Sequence, residues 1–126
     1  AGRELHSDAA IECTDLAPAP APVPGPDAPG GPHGAVSRAR AAETDFYTIE
    51  TVRASCASVE LAPDDAAPVV VMVPSTAGAS LASSTDAFPE LELSAGRTAL
   101  VPAACARDTV LRAGPDTLAI VARVLA

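Results

Sequence analysis

The chain has 126 residues, enough for one domain or one small domain with an arm. It has no Trp, one Tyr and two Phe, which excludes a base-stacking surface or an aromatic sugar platform. The net charge of -8 at pH 7 argues against nucleic acid and anionic membrane surfaces as partners.

Apolar residues make up 48% of the chain, but 29 of them are Ala, and Leu, Ile, Val and Phe together number 27. A thin core is therefore expected, because each large apolar side chain contributes only about 1.5–3 kcal/mol on full burial against chain entropy. Marginal stability and an exposed apolar patch follow as expectations.

Residues 3–16 carry Leu5, Ala9, Cys13 and Leu16 on one face at helical spacing, which predicts a short helix or a helix followed by a strand. Residues 17–34 hold seven of the 13 Pro and four of the eight Gly. Proline fixes φ and lacks an amide donor, so this stretch reads as a polyproline-like linker. The Ala/Arg stretch 35–43 predicts one or two helical turns, closing a linker region over 17–43.

From about residue 44 the pattern changes to short strands, expected at 46–53, 57–62, 69–73, 79–82, 90–94, 98–102, 107–112 and 117–125. Pro, Gly and Asp clusters separate them where a chain reverses. Alternation is clear at Leu91 and Leu93, and again at Leu118, Ile120, Ala122 and Val124. The run Val69 to Val73 suits a strand covered on both faces. The fold class predicted is mostly β, a small antiparallel barrel or jelly roll over 44–126. An Ala-rich helical alternative is opposed by the frequent Pro and β-branched residues.

Candidate chemistry is sparse. His33 lies in the proline-rich linker and reads as a solvated loop residue, and His6 as a packing or capping residue. Residues 44–126 contain no His, so the strand segment cannot by itself supply the two or three imidazoles of a first-row metal site. Asp64 and Asp65 read as turn residues, and Glu90 and Glu92 as outward-facing strand residues rather than a catalytic pair. Ser75, Thr76 and Gly78 form a turn without the pattern of a phosphate cradle. No GxSxG motif marks a serine hydrolase. Arg53, Arg112 and Arg123 alternate with apolar strand positions and are expected to point to water.

Cys13, Cys56 and Cys105 are odd in number and widely spaced, which predicts reduced, mostly buried thiols and a cytoplasmic protein. The longest uncharged run, 66–85, carries two Pro, a Gly and six Ser/Thr, so no membrane span is expected. The chain opens at Ala1 without Met or a leader pattern, which suggests a cut within a longer gene product.

One resemblance adds to this reading. Arg3, Glu4, Leu5, His6, Ala10 and Glu12, followed by Asp15 and Leu16, resemble the segment that leads out of the catalytic barrel in the short bacterial form of class I mannose-6-phosphate isomerases. Downstream, Thr44 to Ile49, then Pro68 to Val73, a turn with Gly78, Leu93 to Ala103 and Leu118 to Val124 are similar, in order, to that family's C-terminal cupin-like barrel. The spacing of Gly96 and Pro102 belongs to the same pattern and is common to many cupins.

The resemblance implies an aldose-ketose isomerase that interconverts mannose 6-phosphate and fructose 6-phosphate with a divalent metal, usually zinc. In that family a Gln, two His and a Glu of the preceding barrel hold the metal. This chain contains no Gln, so no ligand is placed on it; the family's arginine for the transition state or phosphate lies upstream of this segment, and its role is not carried over to Arg3. The chain is expected to be the non-catalytic C-terminal barrel, with no catalytic, cofactor-binding or metal-binding residue of its own. Its partner is then the missing N-terminal catalytic barrel, through which alone it meets a sugar phosphate. The alternative is a stand-alone metal-free cupin or β-sandwich acting as an interaction or ligand-sensing module.

Overall fold

The computed structural model describes residues 32–62, 67–74 and 78–125. Nine strands form two antiparallel sheets: β1 (Val36–Glu43), β2 (Tyr47–Ala54), β3 (Ser58–Glu60), β4 (Val69–Val73), β5 (Ala79–Ser83), β6 (Leu91–Leu93), β7 (Arg97–Val101), β8 (Thr109–Ala113) and β9 (Thr117–Val124). One helical turn, α1 (Ala103–Ala106), lies between β7 and β8. The larger sheet runs β1-β2-β9-β4-β7 and the smaller β3-β8-β5-β6. The chain crosses between sheets at β2 to β3, β3 to β4, β4 to β5, β6 to β7, β7 to β8 and β8 to β9, as a jelly roll requires.

The expected strands from 46 onward all form, and one more joins them. Residues 36–43, expected to make helical turns, are strand β1, paired along its length with β2 from Val36 opposite Ala54 to Glu43 opposite Thr48. Ala, Arg and Glu favour helix weakly, and the eight-residue β2 offers a pairing edge that outweighs this preference. A register shift between Arg40 and Ala42 marks a bulge in the edge strand. The predicted helix at 3–16 and the linker up to residue 31 lie outside the described residues.

The core lies between the sheets. Val52, Val69, Val71, Val73, Leu111 and Val121 are buried almost completely. Alternate residues of each strand supply it, as a pleated two-layer fold demands. β9 faces opposite to the expectation from its bulky residues. Thr117, Ala119 and Val121 point inward, while Leu118, Ile120, Ala122 and Val124 lie on the outer face of the larger sheet. The space between the sheets accepts small and β-branched side chains there and leaves the larger ones outside. β4 is likewise covered on one face only: Val70 and Met72 are exposed.

Turn chemistry follows the sequence closely. Gly96, between β6 and β7, has a φ of 77° and donates its amide to the Val73 carbonyl. A glycine meets that left-handed conformation without steric cost. Between β8 and β9, Pro115 precedes Asp116 at a φ of 51°, and Thr117 Oγ1 donates to the Gly114 carbonyl.

Candidate functional site

The interior of the jelly roll is filled with hydrocarbon. The inward positions of β2, β4, β5, β8 and β9 are Val, Ala, Leu and Thr over most of their length. Thr109 and Thr117 turn their hydroxyls to the carbonyls of Cys105 and Gly114 and so are satisfied locally. These side chains offer nitrogen, thiolate or carboxylate donors to no cation, and zinc does not fit this donor set. Among the described residues no group of three or more His, Cys, Asp and Glu is placed to hold a metal.

The charged exception lies at one end of the larger sheet. Glu50 is inward-facing, with its side chain 11% exposed, and its carboxylate accepts from two arginines. Arg123 Nη2 stands 2.6 Å from Oε1, and Arg38 Nη1 stands 3.4 Å from Oε2. Arg38 also donates through Nη2 to the Glu60 carbonyl at 2.5 Å, reaching the end of β3 in the opposite sheet. The three side chains therefore clamp β1, β2 and β9 together and tie them to the smaller sheet. Arginine stays protonated and Glu50 is engaged on both oxygens, so the cluster holds no free general base. Beside it, Arg40 pairs with Glu43 at 2.6 Å across the bulge.

Arg123 corrects the expectation that it points to water. Its register opposite Thr48 and Val69 puts it on the inner face, and Glu50 compensates its charge. The Arg123 Nε is buried without a partner. Arg53 and Arg112 do lie outward, paired with Asp116 at 3.4 Å and Glu90 at 2.8 Å.

The remaining sequence candidates do not converge. His33 sits in an exposed turn ahead of β1. Cys56 occupies a turn with a φ of 47° and Cys105 sits in α1, both half-buried free thiols. Glu92 is exposed on β6, and Glu90 accepts from Ser80 and Arg112 on the outer face of the smaller sheet. Gly78 has a φ of 82° at the start of β5. His6, Cys13, Asp64, Asp65, Ser75 and Thr76 lie outside the described residues.

Val70 and Met72, expected to be covered, belong instead to an apolar surface. The outer face of the larger sheet brings Ile49, Thr51, Ile120, Ala122, Val70, Met72 and Leu100 into one field, through the pairs Ile49 with Ala122, Thr51 with Ile120, and Val70 with both Ala122 and Leu100. Leu100 is 68% exposed and Val124 49%. This is a contiguous, largely apolar face on a folded domain.

Among the described residues no helix is long and apolar enough to cross a membrane. No protein-family model and no curated protein matches the chain. Solved structures do. An RmlC-like cupin protein from Desulfovibrio desulfuricans aligns with a TM-score of 0.58 at 11% identity, over 71% of this chain and 81% of that one. KdgF from Halomonas sp. aligns at 0.54 and 17% identity, over 71% and 77%. A cupin domain from Bordetella pertussis Tohama I aligns at 0.58 and 11% identity, over 77% of this chain and all of that one. Two antiparallel sheets wound as a jelly roll, with these neighbours, establish that the chain has the cupin fold.

Proposed function

We propose that this chain is the non-catalytic C-terminal barrel of a mannose-6-phosphate isomerase, a scaffold that packs against a catalytic barrel earlier in the same polypeptide. The observation that carries this reading is the contrast between a filled interior and an uncovered apolar sheet face. An interior lined mostly by Val, Ala and Leu offers few donors to a sugar phosphate. A sheet face with Val70, Met72 and Leu100 exposed beside half-buried Ile49 and Ile120 has the character of half of an inter-domain contact. The resemblance of residues 3–16 to the exit segment of the catalytic barrel supplies the identity of the partner. Among the described residues the first strand, β1, is an edge of this same sheet. In the whole enzyme zinc would belong to the other barrel.

The test is to read the coding sequence upstream of Ala1 and to assay its product. We expect an uninterrupted frame that encodes the Gln, His and Glu metal ligands, and a product that interconverts mannose 6-phosphate and fructose 6-phosphate. The 126-residue chain alone is expected to be inactive. An in-frame stop codon upstream of Ala1, with a start codon close to it, would overturn the reading.

A second reading, a stand-alone metal-free cupin serving as an interaction or ligand-sensing module, is favoured by one observation. The alignment takes in the whole of the Bordetella cupin domain, so the barrel corresponds to a complete unit of the fold. Folding as a monodisperse species with no upstream segment would favour it.

A further inference from the structure

The jelly roll is not closed between β6 and β7. These strands leave their shared turn at Ser94–Gly96 and pair into different sheets, β6 with β5 and β7 with β4, so each is the free edge of its sheet. A cavity of about 240 Å³ lies in the gap, walled by Leu81, Phe88, Leu91, Ala99, Val101 and the thiol-bearing Cys105. Leu81 and Leu91 face inward from the smaller sheet, and Ala99 and Val101 from the larger. α1 floors the space through Cys105, and Phe88 reaches it from the β5–β6 connection.

We propose that this cavity binds a small uncharged apolar molecule, an aromatic ring with a short alkyl chain or an aliphatic of similar bulk. Three physical arguments define the class. The lining carries no charged side chain, and its one polar side-chain group is a thiol, a weak donor and weak acceptor. An anion or a sugar would leave its water behind and find nothing to replace it. Water itself needs two to four polar partners to be held, and an apolar cavity of about 150 Å³ stays dry and admits benzene. This cavity is larger and opens to solvent beside Leu91, which is itself half-exposed. The proposal is independent of the isomerase reading, because it concerns a molecule that a sugar-phosphate site would reject.

The experiment is a titration of the ¹³C-methyl-labelled chain with toluene, followed by nuclear magnetic resonance, with mannose 6-phosphate as comparator. Saturable shifts are expected at Leu81, Leu91 and Val101, with none at Val52 on β2, three strands away from β7 in the larger sheet, and none on adding the sugar phosphate. Ala99→Leu, which fills the cavity, should weaken toluene binding by at least about tenfold. Should that variant fail to fold, the alkylation rate of Cys105 by iodoacetamide decides, measured in a Cys13→Ser, Cys56→Ser background. Saturating toluene should slow it several-fold. Shifts that rise linearly without saturation, equal binding by folded Ala99→Leu, or unprotected alkylation would each overturn the proposal.

Discussion

The two sheets of this protein share a core but differ on their outer faces. The smaller sheet shows water Ser58, Glu60 and Arg112, with Glu90 bridging Ser80 and Arg112 across it. The larger sheet shows Ile49, Val70, Met72, Leu100 and Ile120. Both are built from period-two strands, so strand pattern alone does not separate them. What separates them is the residue class at the outward positions. One face is polar and charged, the other largely apolar.

The comparison breaks most severely if inside and outside prove equivalent. Leu111→Ala, at the centre of the core, is expected to cost about 2–5 kcal/mol in urea unfolding, through lost burial and the cavity left behind. Leu118→Ala, on the outer face of β9, should cost well under half of that, and equal losses would contradict the facing of β9.

The clamp comes next. Glu50→Gln leaves Arg38 and Arg123 facing each other across a partly buried site without a counter-charge. A loss of about 1–3 kcal/mol is expected, discounted from a fully buried pair because Arg38 is one-third exposed. An additional Arg123→Met change should restore part of it, measured by the same unfolding curves.

Two smaller effects sharpen the contrast between the faces. Met72→Lys with Leu100→Lys should leave unfolding stability within about 1 kcal/mol, since both side chains already meet water. The double variant should nevertheless bind much less anilinonaphthalene sulfonate than the unaltered chain. Unchanged dye fluorescence would show that the larger sheet's outer face is not the apolar surface. Arg112→Ala, on the solvated face, is expected to change stability by no more than about 0.5 kcal/mol, because the pair with Glu90 is exposed on both sides.

The cupin-like architecture was legible in the sequence because turn residues punctuate the chain at nearly every reversal from residue 44 onward. Gly96 and the Pro115, Asp116 pair sit where the backbone needs them. Strand β1 was not legible. Its sequence, VSRARAAE, holds one β-branched residue and several good helix formers, and only pairing with β2 makes it a strand. The facing of β9 was misread for a related reason. Both of its faces are apolar, and the larger residues were taken as the core when the narrow interior selects Ala119 and Val121. Arg123 looked solvated because charge is normally outside, and its partner Glu50 lies 73 positions earlier in the chain, beyond any local pattern. The seam cavity was also hidden, since its walls come from β5, β6, β7 and α1 and meet only in three dimensions.

The unequal margins of the larger sheet carry a consequence for solubility. One margin, β1, is guarded by Arg38, Arg40 and Glu43 and kinked by its bulge. The other, β7, presents Thr98, Ala99 and Leu100 with a single charge at Arg97 before Pro102 ends the strand. Backbone-to-backbone association through this sheet therefore has one adhesive border and one repellent border. The margin at β7 is the one of the two where an added strand would meet less charge.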